Sequence, residues 1–356
     1  MNSISKIILL SLFYTTALYG NRLKLKKADV LESKNVGKES VKYLTGNVEF
    51  QKGLVQLKCD YGTHKEKEDI AHLFDNVEVT KENLSLTCDS ITFYSKQNKV
   101  ESTGNPKVVD LEYNLKSDTL IYFTELDSGI ALGQVELYQN KQKIKADRIE
   151  YIKNPGSNTV SYNAIGNVII EDSLRTATCG LAIYNYTTEE TQLEIKPKII
   201  DDKRALYGKK IIMRYEQKKL KNIYIPQNAQ ASTITEGYKK TKDDTTQIEL
   251  KSEFNDDMTS TSLEGFFDDG ILDSLRLSGM ATTVYHLFED SLYKGKNVTS
   301  GDTIIMNFKE KEINNIIVNG GSQGKYTPDS LTNETGQPLK YSAEKIDYDI
   351  KTEKTK

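Results

Sequence analysis

The sequence predicts an all-β chain in which one strand-based unit is repeated, and two observations predict this fold class. A short motif returns at a step of 29 residues in the first half of the chain, which indicates a repeat architecture. Within each copy, apolar and polar residues alternate, and this period of two is typical of a β-strand with one buried face. About nine units, each of roughly 29 residues or longer, fit between Tyr43 and Tyr326.

Each unit contains two motifs. The first is the Gly-Asn-Val-Glu-Phe sequence of Gly46–Phe50, and its next copies begin at Asp75, Gly104, Gly133, Gly166 and Ile195. The second is Leu-Lys-Cys-Asp, and its copies end at Asp60, Asp89, Asp118 and Asp147, with a degenerate copy at Ala177–Gly180. Looser copies of the first motif end at Ala229, Ala281 and Ser322, where charged insertions at 239–246 and 289–301 lengthen the spacing.

The parity of the apolar residues predicts where the strands bend. In the second motif, Leu86 and Cys88 share one parity, whereas Ile91 and Phe93 have the opposite one. A β-bulge inserts one extra residue, so the side chains that follow it point to the opposite face of the strand. We therefore expect a bulge or corner at the four motif aspartates, namely Asp60, Asp89, Asp118 and Asp147. The glycine of the first motif lies mid-strand on the inward parity, which predicts a further bend there.

The three cysteines, Cys59, Cys88 and Cys179, fall in one column of the repeat. If another strand lies between equivalent strands, neighbouring copies are about two spacings of 4.7–4.9 Å apart. A disulfide needs Cα atoms within about 7 Å, so the sequence favours free, buried thiols.

The composition excludes several classes of function. The chain has 48 Lys and Arg against 51 Asp and Glu, with a pI of about 5.9, which argues against a nucleic-acid-binding surface. Its mean hydropathy of −0.55 and hydrophobic content of 37% are low for a large globular enzyme. With three His and no Cys-x-x-Cys sequence, there is no zinc signature. We expect no enzyme activity, no metal and no cofactor.

The segments of the chain differ in character. Residues 1–20 have the layout of a secretory signal peptide, with Lys6 before the apolar Ile7–Tyr14 and small residues after it. This apolar run is shorter than the ~20 residues of a membrane span, so the mature protein is expected outside the cytoplasm. The clear repeats occupy 21–230, a looser continuation or second β domain occupies 231–345, and a charged tail occupies 346–356.

The two motifs in register resemble the OstA-like domain of lipopolysaccharide-transport proteins. The pattern is that of Gly46–Phe50 followed by Leu86–Phe93, repeated through residues 40–230 and more loosely through 255–326. The LptA type is the most similar, and LptC or the periplasmic part of LptD are alternatives. The resemblance implies a twisted, folded-over β-jellyroll (a "taco") whose apolar groove holds the acyl chains of lipid A. The chain departs from the LptA type in its greater length and its charged insertions, and it lacks the long C-terminal barrel of a complete LptD.

The resemblance also implies a location and partners. It implies a periplasmic protein, associated with inner- or outer-membrane partners, that binds lipopolysaccharide and carries or bridges it between the membranes. The other transport components would bind by strand-edge stacking, and copies of this chain would associate end to end. The groove would be lined by the inward column and the aromatic column of the repeat, which are Val48, Phe50, Val77, Val79, Val135, Leu137, Val168 and Ile170, together with Phe93, Tyr122, Tyr151 and Tyr184.

The inward column, the aromatic column and the motif aspartates also permit other interpretations. The inward column also suits an ordinary core, and the aromatic column also suits a ladder that stabilises neighbouring strands. The motif aspartates are spread along the array, so they suit turns better than a catalytic or metal cluster. In a turn, the Asp side chain accepts hydrogen bonds from nearby backbone N–H groups. The whole chain also suits a structural or adhesive β-solenoid without a lipid ligand. A β-helical enzyme acting on polysaccharide would need converging carboxylates, which the column of aspartates does not supply.

Overall fold

The computed structural model confirms the all-β prediction. It describes residues 23–349 apart from 38, 66, 82–83, 110–112, 124–125, 127, 140–141, 154–159, 218, 243–246, 311 and 333–335, and it also describes 354–355. These residues form β-strands, turns and one 3-10 turn at Ser95–Gln97. The predicted signal peptide lies outside the described residues. Residues 346–349 of the predicted charged tail continue a strand.

The chain divides into two compact units. The first unit comprises Met1–Ser173 and Ile183–Thr187, and the second comprises Leu174–Ala182 and Thr188–Lys356. The sequence-based limit at residue 230 marks where the repeat becomes loose, and it stays a prediction. The strands of the first unit are β1 (Lys24–Lys27), β2 (Val30–Val36), β3 (Glu39–Lys52), β4 (Val55–Lys65), β5 (Ile70–Lys81), β6 (Leu84–Tyr94), β7 (Lys99–Thr103), β8 (Lys107–Val109), β9 (Tyr113–Lys116), β10 (Thr119–Phe123), β11 (Ser128–Gln139), β12 (Gln142–Lys153) and β13 (Val160–Glu171).

The boundary between the units passes through β14 (Thr176–Asn185). The remaining strands belong to the second unit: β15 (Glu190–Glu194), β16 (Lys198–Asp201), β17 (Arg204–Tyr207), β18 (Lys210–Glu216), β19 (Lys219–Ile225), β20 (Ala229–Lys242), β21 (Gln247–Ser260), β22 (Ser262–Asp268), β23 (Ile271–Glu289), β24 (Leu292–Lys309), β25 (Glu312–Pro328), β26 (Leu339–Asp349) and β27 (Lys354–Thr355). The charged segments predicted as insertions lengthen strands here, since β20 and β21 stay paired out to Lys242 and Gln247.

Long strands fold over at the first motif of each repeat. Gly46 and Asn47 have φ values of 75° and 46°, and Gly104 and Asn105 have values of 76° and 53°. Two consecutive left-handed residues turn the strand sharply, and this conformation favours Gly and Asn over other residues. The same left-handed pair occurs at every later copy that was predicted to begin with Gly, and also at Asp75–Asn76, Ile195–Lys196, Gly279–Met280 and Gly320–Gly321.

The motif aspartate lies beside this corner on the neighbouring strand. The pairing of β5 with β6 jumps between Phe74↔Ser90 and Val77↔Cys88, so Asp75 and Asn76 of β5 lie opposite Asp89 alone. The Asp89 backbone N–H donates to the Gly104 carbonyl on its other side at 3.1 Å. The predicted bend at Gly and the predicted bulge at Asp are therefore parts of one corner. The extra residue of the bulge belongs to the strand that carries the first motif.

The three cysteines are free and buried, as predicted. Equivalent copies lie two strands apart, since Cys59 is in β4 and Cys88 is in β6, with β5 paired between them. The Cys59 Sγ lies 3.0 Å from the Tyr61 carbonyl oxygen, and Ser117 makes the equivalent bond to Thr119 at 3.1 Å. Burial raises the pKa of each of the three thiols to about 11, so they stay protonated and unreactive at neutral pH.

Candidate functional site

The corners divide the first unit into two walls. The first wall contains the parts of β3, β5 and β11 that follow the corner, and an apolar row runs straight across it. Successive members of this row are direct partners on adjacent strands. The row is Phe50, Leu57, Val79, Leu86, Val108, Leu115, Leu137, Ile144 and Ile170.

The second wall contains the parts of the same strands on the other side of each corner. It has an inner row of paired residues, which is Leu73, Ile91, Ser102, Leu120, Ala131, Ile149 and Ala164. Two residues further from the corners lies an outer row, which is Ala71, Phe93, Val100, Tyr122, Gly129, Tyr151 and Tyr162. The aromatic column of the repeat is thus every second member of the outer row, with Val100 and Gly129 between its rings.

An apolar cavity of about 230 Å³ lies between the two walls. We call it the groove. Most of its lining consists of aliphatic and aromatic side chains from the three rows, and Lys52 is the one charged residue among the described lining residues. The Lys52 Nζ lies 4.8 Å from the centre of the Phe93 ring, and burial lowers the pKa of this amino group. The groove is therefore suited to an alkyl chain, with a cation at one point of its lining.

The structure brings five of the twelve predicted groove residues to the lining. These are Val79, Leu137, Phe93, Tyr122 and Tyr151. Val48, Val77, Val135 and Val168 lie next to the corners, where they are at most 1% exposed and fill the closed side of the sheet. Phe50 and Ile170 are at the two ends of the first-wall row, away from the groove lining, and the Tyr184 ring packs 4.8 Å from that of Tyr162.

Sequence reasoning missed the leucines of the second motif as lining residues. Leu57, Leu86 and Leu115 all line the groove, and each begins a copy of the motif that had been assigned only to strands. The residues after the aspartate, such as Leu120 and Ile149, were missed in the same way. The alternation of apolar residues does place these side chains on the inward face. However, alternation does not indicate how far a residue lies from a corner.

The motif aspartates have structural partners. Asn76 Nδ2 donates to Asp60 Oδ2 at 2.7 Å, and Asn167 Nδ2 donates to Asp147 Oδ2 at 2.9 Å. His64 and His72 lie near a hairpin tip, where His72 Nδ1 is 3.0 Å from Thr92 Oγ1. Among the described residues there is no group of three or more His, Cys, Asp and Glu arranged to hold a metal. The described part of the chain also has no helix long and apolar enough to span a membrane.

Comparison with known proteins finds similarity to a protein family and to solved structures. The family model described as OstA-like protein matches residues 61–208, and no curated protein matches the chain. Among solved structures, the chain is similar to LptH of Pseudomonas aeruginosa, described as the LptA homologous periplasmic component of the conserved lipopolysaccharide transport device. The identity is 15% and the TM-score is 0.19, over 38% of this chain and 79% of that one. Residues 61–208 of this chain are therefore similar to the OstA-like family.

Proposed function

We propose that the groove of the first unit binds the acyl chains of lipopolysaccharide, and that the chain is a non-enzymatic periplasmic carrier of the LptA type. It would shield the acyl chains while the lipid passes from the inner to the outer membrane. The observation that carries this proposal is an apolar groove that is already open between two walls of an OstA-like domain. An ordinary core would close this space with side chains, since protein interiors are close-packed.

The energetics of such a carrier are simple. Each CH₂ group removed from water contributes about 0.8 kcal/mol, so even part of an acyl chain gains several kcal/mol in the groove. The rows on both walls already face each other, so little ordering of the protein is needed on binding. The direction of transport would come from an energised partner, because a groove that binds passively only lowers the free energy of the lipid in water.

Lys52 gives the groove a preference among apolar ligands. Its ammonium group lies against the Phe93 ring at the lining. A cation in such surroundings interacts more strongly with an anion than it would in water. This supports an amphiphile that carries a negative charge next to its alkyl chains, as the phosphorylated head of lipid A does.

Strand-edge pairing is the proposed mode of assembly, with other transport components or with further copies of this chain. In the described part of the chain, β2 pairs only with β3, so its other edge offers unpaired backbone groups. Its side chains are exposed along the whole strand, including Val30, Leu31 and Val36. An exposed apolar edge strand is a template for a further strand.

The alternative is a structural or adhesive β-solenoid without a lipid ligand. Such a scaffold would be filled solid by its side chains, and its stability would not respond to lipid. The groove favours the carrier, because Val79, Leu115 and Leu137 line open space. A scaffold has no need of a row of large apolar residues around a void, since a void forfeits packing contacts.

Site-specific photocrosslinking tests the carrier directly. A photoreactive amino acid would replace Val79 or Leu137 in the full chain, and matched controls would carry it at the neighbouring Glu78 or Glu136, which point to the opposite face of the same strands. Purified protein would be mixed with lipopolysaccharide and irradiated. We expect crosslinks at Val79 and Leu137 and few at the two glutamates. Crosslinks only at the glutamates, or none at all, would contradict the groove as the lipid site.

A further inference from the structure

The second unit contains its own cavity, of about 400 Å³. One wall contributes a row of direct strand partners, which is Ile199, Leu206, Ala231, Met258 and Thr283. The other wall contributes a second such row, which is Ile223, Gly265, Leu275, Met306, Ile316 and Tyr348. All of these residues line the cavity, and its volume lies within the roughly 300–1,000 Å³ of small-molecule sites.

A charged row crosses the wall that carries Ile199 and Met258, and it lies further from the corner than the apolar row does. Asp201 pairs with Arg204, Arg204 with Thr233, and Thr233 with Asp256, while Arg175 extends the row at the Asp201 end. Each strand member lies two residues from a member of the apolar row, which is about 7 Å along a strand. The cavity is therefore layered, with an apolar floor near the corner at Gly279–Met280 and a charged rim above it.

At the rim, two guanidinium groups share the carboxylate of Asp201. This one carboxylate lies 3.3 Å from Arg175 Nε and 3.4 Å from an Arg204 Nη. Arg175 is held in place, since its side chain is only 9% exposed, its Nη2 donates to the Gly270 carbonyl at 2.6 Å and its guanidinium lies over the Phe267 ring. Arg204 makes no other ion pair among the described residues, and its side chain is 31% exposed. It therefore has N–H donors to offer at the rim.

The other carboxylate of the rim is already engaged. Asp256 Oδ1 lies 2.7 Å from the His286 ring Nδ1 and accepts the His286 backbone N–H at 2.9 Å. Its second oxygen accepts a bond from the Thr235 hydroxyl at 3.3 Å. These donors already satisfy the Asp256 carboxylate. The cation that is available to a ligand is therefore Arg204, which lies two strands away in the charged row.

The floor contains an isolated polar atom. Thr283 ends the apolar row and is 1% exposed, and its Oγ1 has no hydrogen-bond partner within the described residues. A buried hydroxyl without a partner is destabilising, and such groups in native proteins call for an explanation. A ligand that enters the cavity would supply the missing partner.

We propose that this cavity binds a single-chain amphiphile with one oxyanion headgroup, such as a carboxylate or a phosphate. The oxyanion would accept N–H bonds from Arg204 at the rim, where bidentate geometry is available to a guanidinium. The chain would lie along the floor, and a second polar group on that chain, such as a hydroxyl, would bond Thr283 Oγ1. This site is separate from the groove, because all of its lining residues belong to the second unit, and it does not rest on the proposed function.

Calorimetric titration of the purified full chain tests the site. The probes are decanoate and decyl phosphate, which differ in their oxyanion, and 1-decanol, which lacks one. We expect both anions to bind at least about tenfold more tightly than decanol, since a charge-assisted bond to a guanidinium is among the stronger hydrogen bonds. Arg204→Gln should remove that advantage and leave decanol binding unchanged.

Thr283→Val separates a ligand contact from a structural role. Valine has nearly the same shape without the unsatisfied hydroxyl, so the thermal midpoint of the ligand-free variant should stay the same or rise. Its affinity for 10-hydroxydecanoate, whose second polar group can reach the floor, should fall by roughly three- to tenfold, and its affinity for decanoate should stay the same. A hydroxyl with only a structural role would lower the midpoint and leave affinity unchanged.

Two outcomes would overturn the proposal. One is equal affinity for decanoate and decanol, and the other is undiminished decanoate binding by folded Arg204→Gln protein. Val79→Gln alters the groove of the first unit, and it should leave the Arg204-dependent part of decanoate binding intact. Loss of lipopolysaccharide crosslinking with decanoate binding retained would contradict the proposed function alone, and the reverse result would contradict this site alone.

Discussion

At the scale of single residues, most corners pair a glycine on one strand with a side chain on the facing strand, and the corner of Asp60 and Asp75 is the exception. A Cβ atom on Gly104 would lie 2.4 Å from the Asp89 Cβ, and one on Gly133 would lie 2.1 Å from an Asp118 oxygen. The degenerate copy reverses the arrangement, because Gly180 takes the aspartate position and Ile195 takes the glycine position. A Cβ on Gly180 would lie 2.7 Å from Ile195 Cγ2. At Gly180 and Ile195, the two motifs therefore vary together for a steric reason.

This exclusion predicts the effect of Gly104→Ala. The new Cβ meets Asp89 in a backbone with φ of 76°, so we expect the free energy of unfolding to fall by more than about 2 kcal/mol. Gly53→Ala is the matched control, since Gly53 also has a positive φ of 59° but has nothing within 4 Å. It should cost about 1 kcal/mol.

Chemical denaturation of both variants would measure these changes. Adding Asp89→Gly to Gly104→Ala should recover part of the loss, as the natural pair Gly180 and Ile195 indicates. Additive losses in the double variant would show that the facing side chain is not the cause. The sequence predicted the bends at Gly and Asp separately, because their contact joins two strands and leaves no mark within either motif.

At the scale of elements, the distance of a residue from the corner decides its role. Val77 and Val79 have the same parity on β5, yet Val77 is buried beside the corner and Val79 lines the groove. Alternation of apolar residues reports which face of a strand is inward. It does not report whether the facing wall is in contact or separated by a cavity, so the predicted column mixed two kinds of residue.

The edge strand β2 carries a prediction at this scale. Val30 and Val36 are 50% and 56% exposed, so replacing both by Lys should leave the fold intact and block the addition of a further strand. We expect the wild-type chain to form concentration-dependent oligomers in sedimentation velocity experiments and the double variant to remain monomeric.

Leu54→Lys provides the control for added charge. Leu54 is 69% exposed in the turn between β3 and β4, away from the unpaired edge of β2. This variant should associate as the wild-type chain does. Oligomers that persist in the Val30 and Val36 double variant would place the contact elsewhere.

At the scale of the whole molecule, one repeat corresponds to one pair of antiparallel strands. Equivalent positions such as Cys59 and Cys88 lie on β4 and β6, with β5 between them. Each pair contacts mainly its neighbours, as in other repeat proteins. The array should therefore tolerate the loss of one complete unit.

Deletion of residues 89–117 tests this expectation. It removes 29 residues and joins Cys88 to Asp118, which restores the Cys-Asp motif. The shortened chain should keep its β-sheet circular dichroism and a cooperative thermal transition. Deletion of 89–116 removes 28 residues and shifts every later side chain to the opposite face, so we expect a midpoint lower by about 10 °C or more. Equal midpoints would contradict a strict two-strand repeat.

The sequence by itself determined the all-β class, the inward face of the repeated strands, the positions of the corners and the burial of the three cysteines. These properties follow from local alternation, backbone preference and a constant step, which single strands already display. Only the tertiary structure decided that Val79 and Leu137 line open space while Val77 and Val135 fill a corner. It also brought Arg175, Arg204 and Thr283 to one cavity from distant parts of the chain, because the repeat spacing is irregular in that half and only strand pairing shows which residues share a row.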